Sequence, residues 1–376
     1  MIEKGKGDFS MMVSQQDKIN VSQTGIIITN FLLGTGILTL PRTSVEAVKT
    51  PDVWLSVAFG GLVAILAGFI MVKLSMKYPE KTLYQYSRDL IGKWPGGLFS
   101  LLLICYFLAT SGFQVRSVTE VMGFYLLEDT PLWAMAMVFL WSGIYLLTGG
   151  INPIARLYEI IFPITVLIFL IVIFMSASIF DMDNLRPLLG KGIVPVLQGV
   201  KTTSFAYTGI EVMLIIVPFM RKPEQALKAT LIGISFPIVF YMITVVMVIG
   251  ALSIDGVTSR TWPTIDLMRS FEIPGLIFER FESLLLVIWI MQMFSSFTIS
   301  YFAAALGLSQ LLKKRMEPIL FSLLPVIYLI AMAPKNINQL FQLGDLIGNS
   351  AIYLVGLIPL MLLVISKARR KKFEKN

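Results

Sequence analysis

Long apolar runs, each closed by a short polar or charged stretch, set the rhythm of this chain. Between Lys18 and Arg42 lie 23 residues without a charge, enough for a helix rising about 1.5 Å per residue to cross the hydrocarbon core of a bilayer. A window of about 19 residues finds further runs near 53–76, 97–127, 131–149, 155–180, 193–220, 225–252, 276–311, 317–333 and 345–366. The pattern predicts an all-α integral membrane protein with about ten transmembrane helices. It divides the chain into an N-terminal tail (1–18), a first set of five spans (19–180), a second set of five (181–366) and a basic C-terminal tail (367–376).

Two of the runs are interrupted. The first carries Gly34, Thr35 and Gly36 at its middle, and the sixth carries Phe205, Tyr207, Thr208 and Gly209, followed by the acid Glu211. Glycines without side-chain support are where a helix can open. Five crossings separate these two spans, so the sixth begins on the side opposite to the first. Interrupted spans in matching positions of two inverted halves point to a substrate site near the bilayer midplane. Opening at Gly34–Gly36 would free amides that favour an anionic group, and the half-helix ending near Tyr207 would present carbonyls that favour a cation. Together they suit a small zwitterion.

Charge fixes the expected orientation. Of 31 lysines and arginines, 21 fall in the N-terminal tail, the C-terminal tail and the loops on their side, and only seven fall in the opposite loops. Both termini are therefore expected in the cytoplasm. In the segment 78–94, Leu83, Tyr86 and Leu90 at helical spacing predict an interfacial helix. Between Ser253 and Gly275, Trp262, Ile265, Leu267, Met268 and Phe271 predict either a lid over the external mouth or an anchoring segment.

Composition narrows the function. The chain is 56% hydrophobic and 14% charged, with a mean hydropathy of +0.78, too apolar for a soluble domain of this size. It contains no histidine and a single cysteine, Cys105, so neither a thiolate metal cluster nor an imidazole relay is expected. No phosphate loop, metal-ligand spacing or nucleophile elbow is present. The chain reads as a non-enzyme without cofactor or metal, and its net charge of +8 as loop bias rather than nucleic-acid binding.

Other polar residues at membrane depth complete the candidate set. Tyr106 in the third span and Ser295 and Ser296 in the eighth supply hydroxyls to the same cavity, or else bond their own helix. Arg116 with Glu120, and Arg156 with Glu159, are spaced for mutual neutralisation. Glu211 has only Lys201 near it in sequence, almost three turns away, and is the candidate for a coupling carboxylate or a structural link across the break.

GTGILTLP at 34–41 and FAYTGIE at 205–211 resemble the broken-helix signatures of the amino acid/polyamine/organocation transporter superfamily. Within it, LGTGILTLPR (33–42), YPEKTLYQY (78–86), YLLTGGINPIARLYEIIFP (145–163), FDMDNLRPLLGKG (180–192) and FERFESLLLVIWIMQMF (278–294) resemble the B subunits of spore germinant receptors over nearly the whole chain. The resemblance implies a LeuT-type five-plus-five inverted repeat in the spore inner membrane. It further implies binding of a small germinant, commonly an amino acid, and action through A and C subunits. The pocket it implies is lined by Gly34, Thr35, Gly36, Tyr106, Phe205, Tyr207, Thr208, Gly209, Ser295 and Ser296. The alternative within the same architecture is an amino acid transporter coupled to Na+ or H+.

Overall fold

The computed structural model of the protein describes residues 18–270 and 282–373, with backbone only for Thr35, Glu282 and residues 369–373. Phe271, expected in the amphipathic segment after Ser253, lies outside the described residues. Helix α1 (Val21–Val48) opens on a capping box, in which the Asn20 side chain accepts from the Gln23 amide at 2.8 Å and the Gln23 side chain from the Asn20 amide at 2.9 Å. It satisfies donors that the first turn would otherwise leave free. There follow α2 (Val53–Ser75), short α3 (Leu83–Ile91), α4 (Lys93–Tyr125), α5 (Leu132–Thr148) and α6 (Ile151–Ser176). The second half holds α7 (Val194–Phe205), the one-turn α8 (Met213–Ile216), α9 (Ala226–Thr258), α10 (Pro263–Arg269), α11 (Glu282–Leu312) and α12 (Met316–Met332). Last come α13 (Ile337–Ala351) and α14 (Ile358–Phe373), joined by a π-helical stretch over Ile352–Leu357. Among the described residues there is no strand, only an isolated parallel bridge between Ile19 and Met220.

Among the described residues, six helical segments are long and apolar enough to cross a bilayer, or eight when each of two bent pairs counts as one span. The pairs are Val21–Gly34 with Gly36–Val48, bent by 54°, and Val194–Phe205 with Ile210–Phe219, bent by 49°. α5 and α12 are apolar but 17 residues long, the short end of what a span requires. Within α9, Ser253 at φ 61° leaves the helical region, close to where the hydrophobic run ends at 252. Leu62, Leu66, Trp141, Phe174 and Val364 are among many large apolar side chains left exposed, as a lipid-facing surface requires.

α1 sits at the centre, packed by α6, α9 and α11, while α4 packs on α11, α12 and α13. Both amphipathic connectors turn inward. Leu83, Tyr86 and Leu90 of α3 are buried, the Tyr84 hydroxyl donates to the Ala303 carbonyl at 2.9 Å, and the Thr82 hydroxyl reaches Gln310. The expected interfacial helix is thus tucked against α11, because its tyrosine and threonine find carbonyl partners there. α10 buries Ile265, Leu267 and Met268, and Thr264 donates to the Ile37 carbonyl of α1 at 2.9 Å.

Candidate functional site

The two interruptions take different forms. In the sixth span the helix stops at Phe205, and Gly209 follows with φ 126°, a conformation that a residue with a Cβ adopts only under strain. The chain then resumes as a tight turn over Ile210–Val212 and α8. In the first span the helical pattern runs through residues 34–36, and the change of direction is concentrated in a bend. The amides expected to open there remain within the helix. What the bend exposes is the preceding turn of carbonyls.

Those carbonyls are taken by hydroxyls from neighbouring spans. Ser296 of α11 donates to the Phe31 carbonyl at 3.0 Å, with the Asn30 carbonyl at 3.4 Å and its own Gln292 carbonyl at 3.1 Å sharing the same proton. Tyr241 of α9 donates to the Leu32 carbonyl. Both approaches depend on glycine. A Cβ on Gly34 would overlap the Ser296 hydroxyl, and one on Gly36 would overlap the Tyr241 phenol. Ser295, one residue from Ser296, instead donates to Met291 of its own helix at 3.0 Å, and its carbonyl accepts from Tyr158.

Across the sixth-span break, Glu211 closes the gap. Its carboxylate accepts from the Gly209 amide at 2.7 Å and from the Tyr106 hydroxyl at 2.6 Å, and it is 1% exposed. A buried carboxylate requires such donors. Tyr207 donates to the Val57 carbonyl of α2 at 3.0 Å and packs edge-on against Tyr241, ring centroids 5.5 Å apart. The two breaks touch through Gly209, where a Cβ would lie 3.1 Å from the Phe31 ring. Thr208 bonds back to the Phe205 carbonyl at 2.9 Å, and the Phe205 ring lies against Gly348 of α13. The structure therefore brings Gly34, Gly36, Ser296, Gly209, Glu211 and Tyr106 around one packed junction. It turns Ser295 away. The side chain of Thr35 is outside the described residues.

An apolar cavity of about 20 Å³ lies beyond the bend between Ile37, Phe169, Thr244 and Leu267, room for about one water molecule. A larger hollow of about 380 Å³ opens at the span ends, between Lys18, Glu80, Arg221 and Glu224. Neither is lined by Thr208 or by the residues of the bend before Ile37.

The charge pairs part company. Arg116 and Glu120 form the ion pair their spacing predicted, at 2.5 Å. Arg156 and Glu159 do not pair among the described residues. Arg156 is exposed, and Glu159 accepts from the Gln23 side chain of α1 at 3.1 Å, a partner remote in sequence. Tyr241, Asn30 and Gln292 were not foreseen, although each is a polar residue inside an apolar run. Asn30 donates to the Tyr158 carbonyl at 3.3 Å and Gln292 to the Thr165 hydroxyl at 2.6 Å. Among the described residues, the side-chain oxygens of Asn30 and Gln292 are buried without a partner.

Comparison with known proteins places this geometry. Residues 18–340 match the family described as "Spore germination protein". Spore germination protein YndE of Bacillus subtilis is 55% identical over 360 residues, covering 96% of this chain and 99% of YndE. Spore germination protein A2 of the same organism is 34% identical over 354 residues, covering 94% and 97%. Among solved structures, that of MhsT in complex with L-phenylalanine superposes with a TM-score of 0.67 at 11% identity, covering 91% of this chain and 97% of MhsT. At that identity the likeness concerns the fold, which is of LeuT type.

Proposed function

Because the chain belongs to the spore germination protein family, we propose that it is the nutrient-sensing subunit of a spore germinant receptor. As an integral membrane protein of LeuT fold it has a receptor-like or transporter-like role. The finer reading places a small germinant, an amino acid, at the junction of the first-span bend and the sixth-span break. It makes 19–180 and 181–366 the inverted repeats of ten spans, with α5 and α12 counted among them. Both termini face the cytoplasm, the membrane is the inner membrane of the spore, and A and C subunits carry the signal onward.

One observation carries this reading: a buried carboxylate, Glu211, holds the broken sixth span together through Gly209 and Tyr106 beside the bent first span. A zwitterion offers the junction what its own groups now supply, a carboxylate for the Gly209 and Tyr106 donors and an ammonium for the carbonyls that Ser296 and Tyr241 cap. A ligand can shift the protein only by binding one arrangement better than the other, and exchange of these bonds provides the difference. The test is germination of spores carrying Gly34→Val, with the receptor level checked. The reading expects a lost response or one displaced to higher germinant concentration, and an unchanged concentration dependence would refute it.

Coupled transport is the second reading, favoured by the transporter fold of the structural neighbours. Purified protein in liposomes separates the two. Saturable binding without gradient-driven accumulation of labelled amino acid supports sensing, and accumulation supports transport.

A further inference from the structure

One segment straps the two halves of the chain together. Residues 180–192 lead from α6 to α7 and are fastened at two places. At the first, the Asp181 amide and the Asn184 side chain both donate to the Gly250 carbonyl of α9, at 3.0 and 2.8 Å, and a Cβ on Gly250 would overlap the Phe180 ring. At the second, the Leu189 amide donates at 2.7 Å to Oδ1 of Asp52, in the turn between α1 and α2. From there the strap enters α7, which α2 grips through Ser56, whose hydroxyl donates to the Val196 carbonyl at 2.8 Å.

The second fastening is incomplete. Asp52 is 0% exposed and Thr50 3%, yet among the described residues Asp52 Oδ2 and the Thr50 hydroxyl have no hydrogen-bond partner. Asp52 precedes α2 without capping it through its side chain, and among the described residues it forms no ion pair. Lys49 and Lys191, the bases nearest this fastening in sequence, are exposed. A buried charge requires a counter-charge or a metal ion, because burial strips away the water that would solvate it. Pro51 alone separates the two unpartnered groups, and their chemistry selects the missing partner. A carboxylate oxygen and a hydroxyl are hard oxygen ligands. The amide end of α2 favours the charge on Asp52, and the carbonyl end of α1, which stops at Val48, favours a cation beside it. A single negative charge balances a monovalent ion, whereas a divalent ion leaves net charge buried. Among the described residues there is no group of three histidine, cysteine or acidic side chains that could hold a metal ion. Water would supply donors and leave the charge uncompensated.

We propose that the turn at Thr50–Asp52 binds an alkali cation, sodium or potassium, through Asp52 Oδ2 and the Thr50 hydroxyl. With the ion in place both oxygens of Asp52 are engaged, one by the ion and one by the strap, so occupancy holds 180–192 against α1 and α2. The site lies about 18 Å of helix past Gly36, at 1.5 Å per residue, and stands whether or not the helix breaks take an amino acid.

The test uses full-length protein in nanodiscs, titrated with sodium chloride or potassium chloride against choline chloride at constant ionic strength. Lys191 is the trypsin site of the strap, since Pro187 follows Arg186 and blocks cleavage there. Cleavage after Lys191, resolved by fragment mass, should slow several-fold and saturably with at least one of the two ions and not with choline. Asp52→Asn should abolish that protection, and Thr50→Val should move its midpoint to a several-fold higher concentration. Protection that persists in Asp52→Asn places the ion elsewhere in the molecule and overturns the site. Absence of ion-specific protection in the parent, the result a bound water predicts, also overturns it. Where Asp52→Asn does not accumulate, Thr50→Val decides, and a midpoint that does not move overturns the site.

Discussion

The Tyr106 hydroxyl donates to the Glu211 carboxylate at 2.6 Å, across more than 100 residues of sequence. The same carboxylate holds the Gly209 amide at 2.7 Å, so one buried acid ties the third span to the interruption of the sixth. Tyr106→Phe removes one donor and keeps the ring, and its expected cost is about 1–3 kcal/mol. Glu211→Ala leaves two donors without a partner and should cost more, with Glu211→Gln between them. Melting temperatures in detergent rank the three, and equal effects for Glu211→Ala and Glu211→Gln would count against the tie.

Glycine at 34 and 36 lets hydroxyls reach the carbonyls of α1. Gly34→Ala should destabilise by about 1–3 kcal/mol through overpacking, because its Cβ meets the Ser296 hydroxyl. Removing that hydroxyl relieves most of the conflict, so Gly34→Ala with Ser296→Ala should lose less than the sum of the single changes. Additive losses would place the conflict elsewhere.

Adjacent serines should behave differently. Ser295→Ala removes a bond within α11 and is expected to change stability by less than about 0.5 kcal/mol. Ser296→Ala uncaps the Phe31 carbonyl and should cost about 1–3 kcal/mol. A reversed order, read by thermal melting, would mean that α11 faces α1 by the other residue.

Much of this arrangement was legible in the residues, and what was not has definite reasons. Hydrophobic runs located the long apolar helices, and the glycines located the bend in the first and the break in the sixth. Glu211 stood out because a lone acid in an apolar run must find donors. Whether Ser295 or Ser296 meets α1 depends on the rotation of α11, which a run apolar on every side does not encode. Tyr241 is not legible in the sequence, because one phenol in a long greasy span carries no pattern until its partner, the Leu32 carbonyl, is placed. Arg156 and Glu159 had the spacing of a pair, yet Glu159 is engaged from α1, and local spacing cannot report a competitor 136 residues away.

Outside the spans, Asp266 on α10 gives the account a pH dependence. Burial raises its carboxyl above the usual value of 3.8, partly opposed by Arg260 and Arg269. The folded state thus favours the protonated form, and the stability this contributes is complete below about pH 3.8 and lost as pH rises through the raised value. Asp266→Asn should match the parent in acid and melt higher than it above that range. A constant difference at every pH would contradict the assignment.

Equilibrium binding of labelled L-amino acids to the purified full-length protein tests the central claim most directly, comparing the parent with Gly209→Val and with a lipid-facing control, Leu66→Ala. The account predicts saturable binding of at least one amino acid to the parent and the control, and its loss in Gly209→Val protein that still melts cooperatively. Binding undiminished in Gly209→Val, or no saturable binding of any amino acid to the parent, would contradict it.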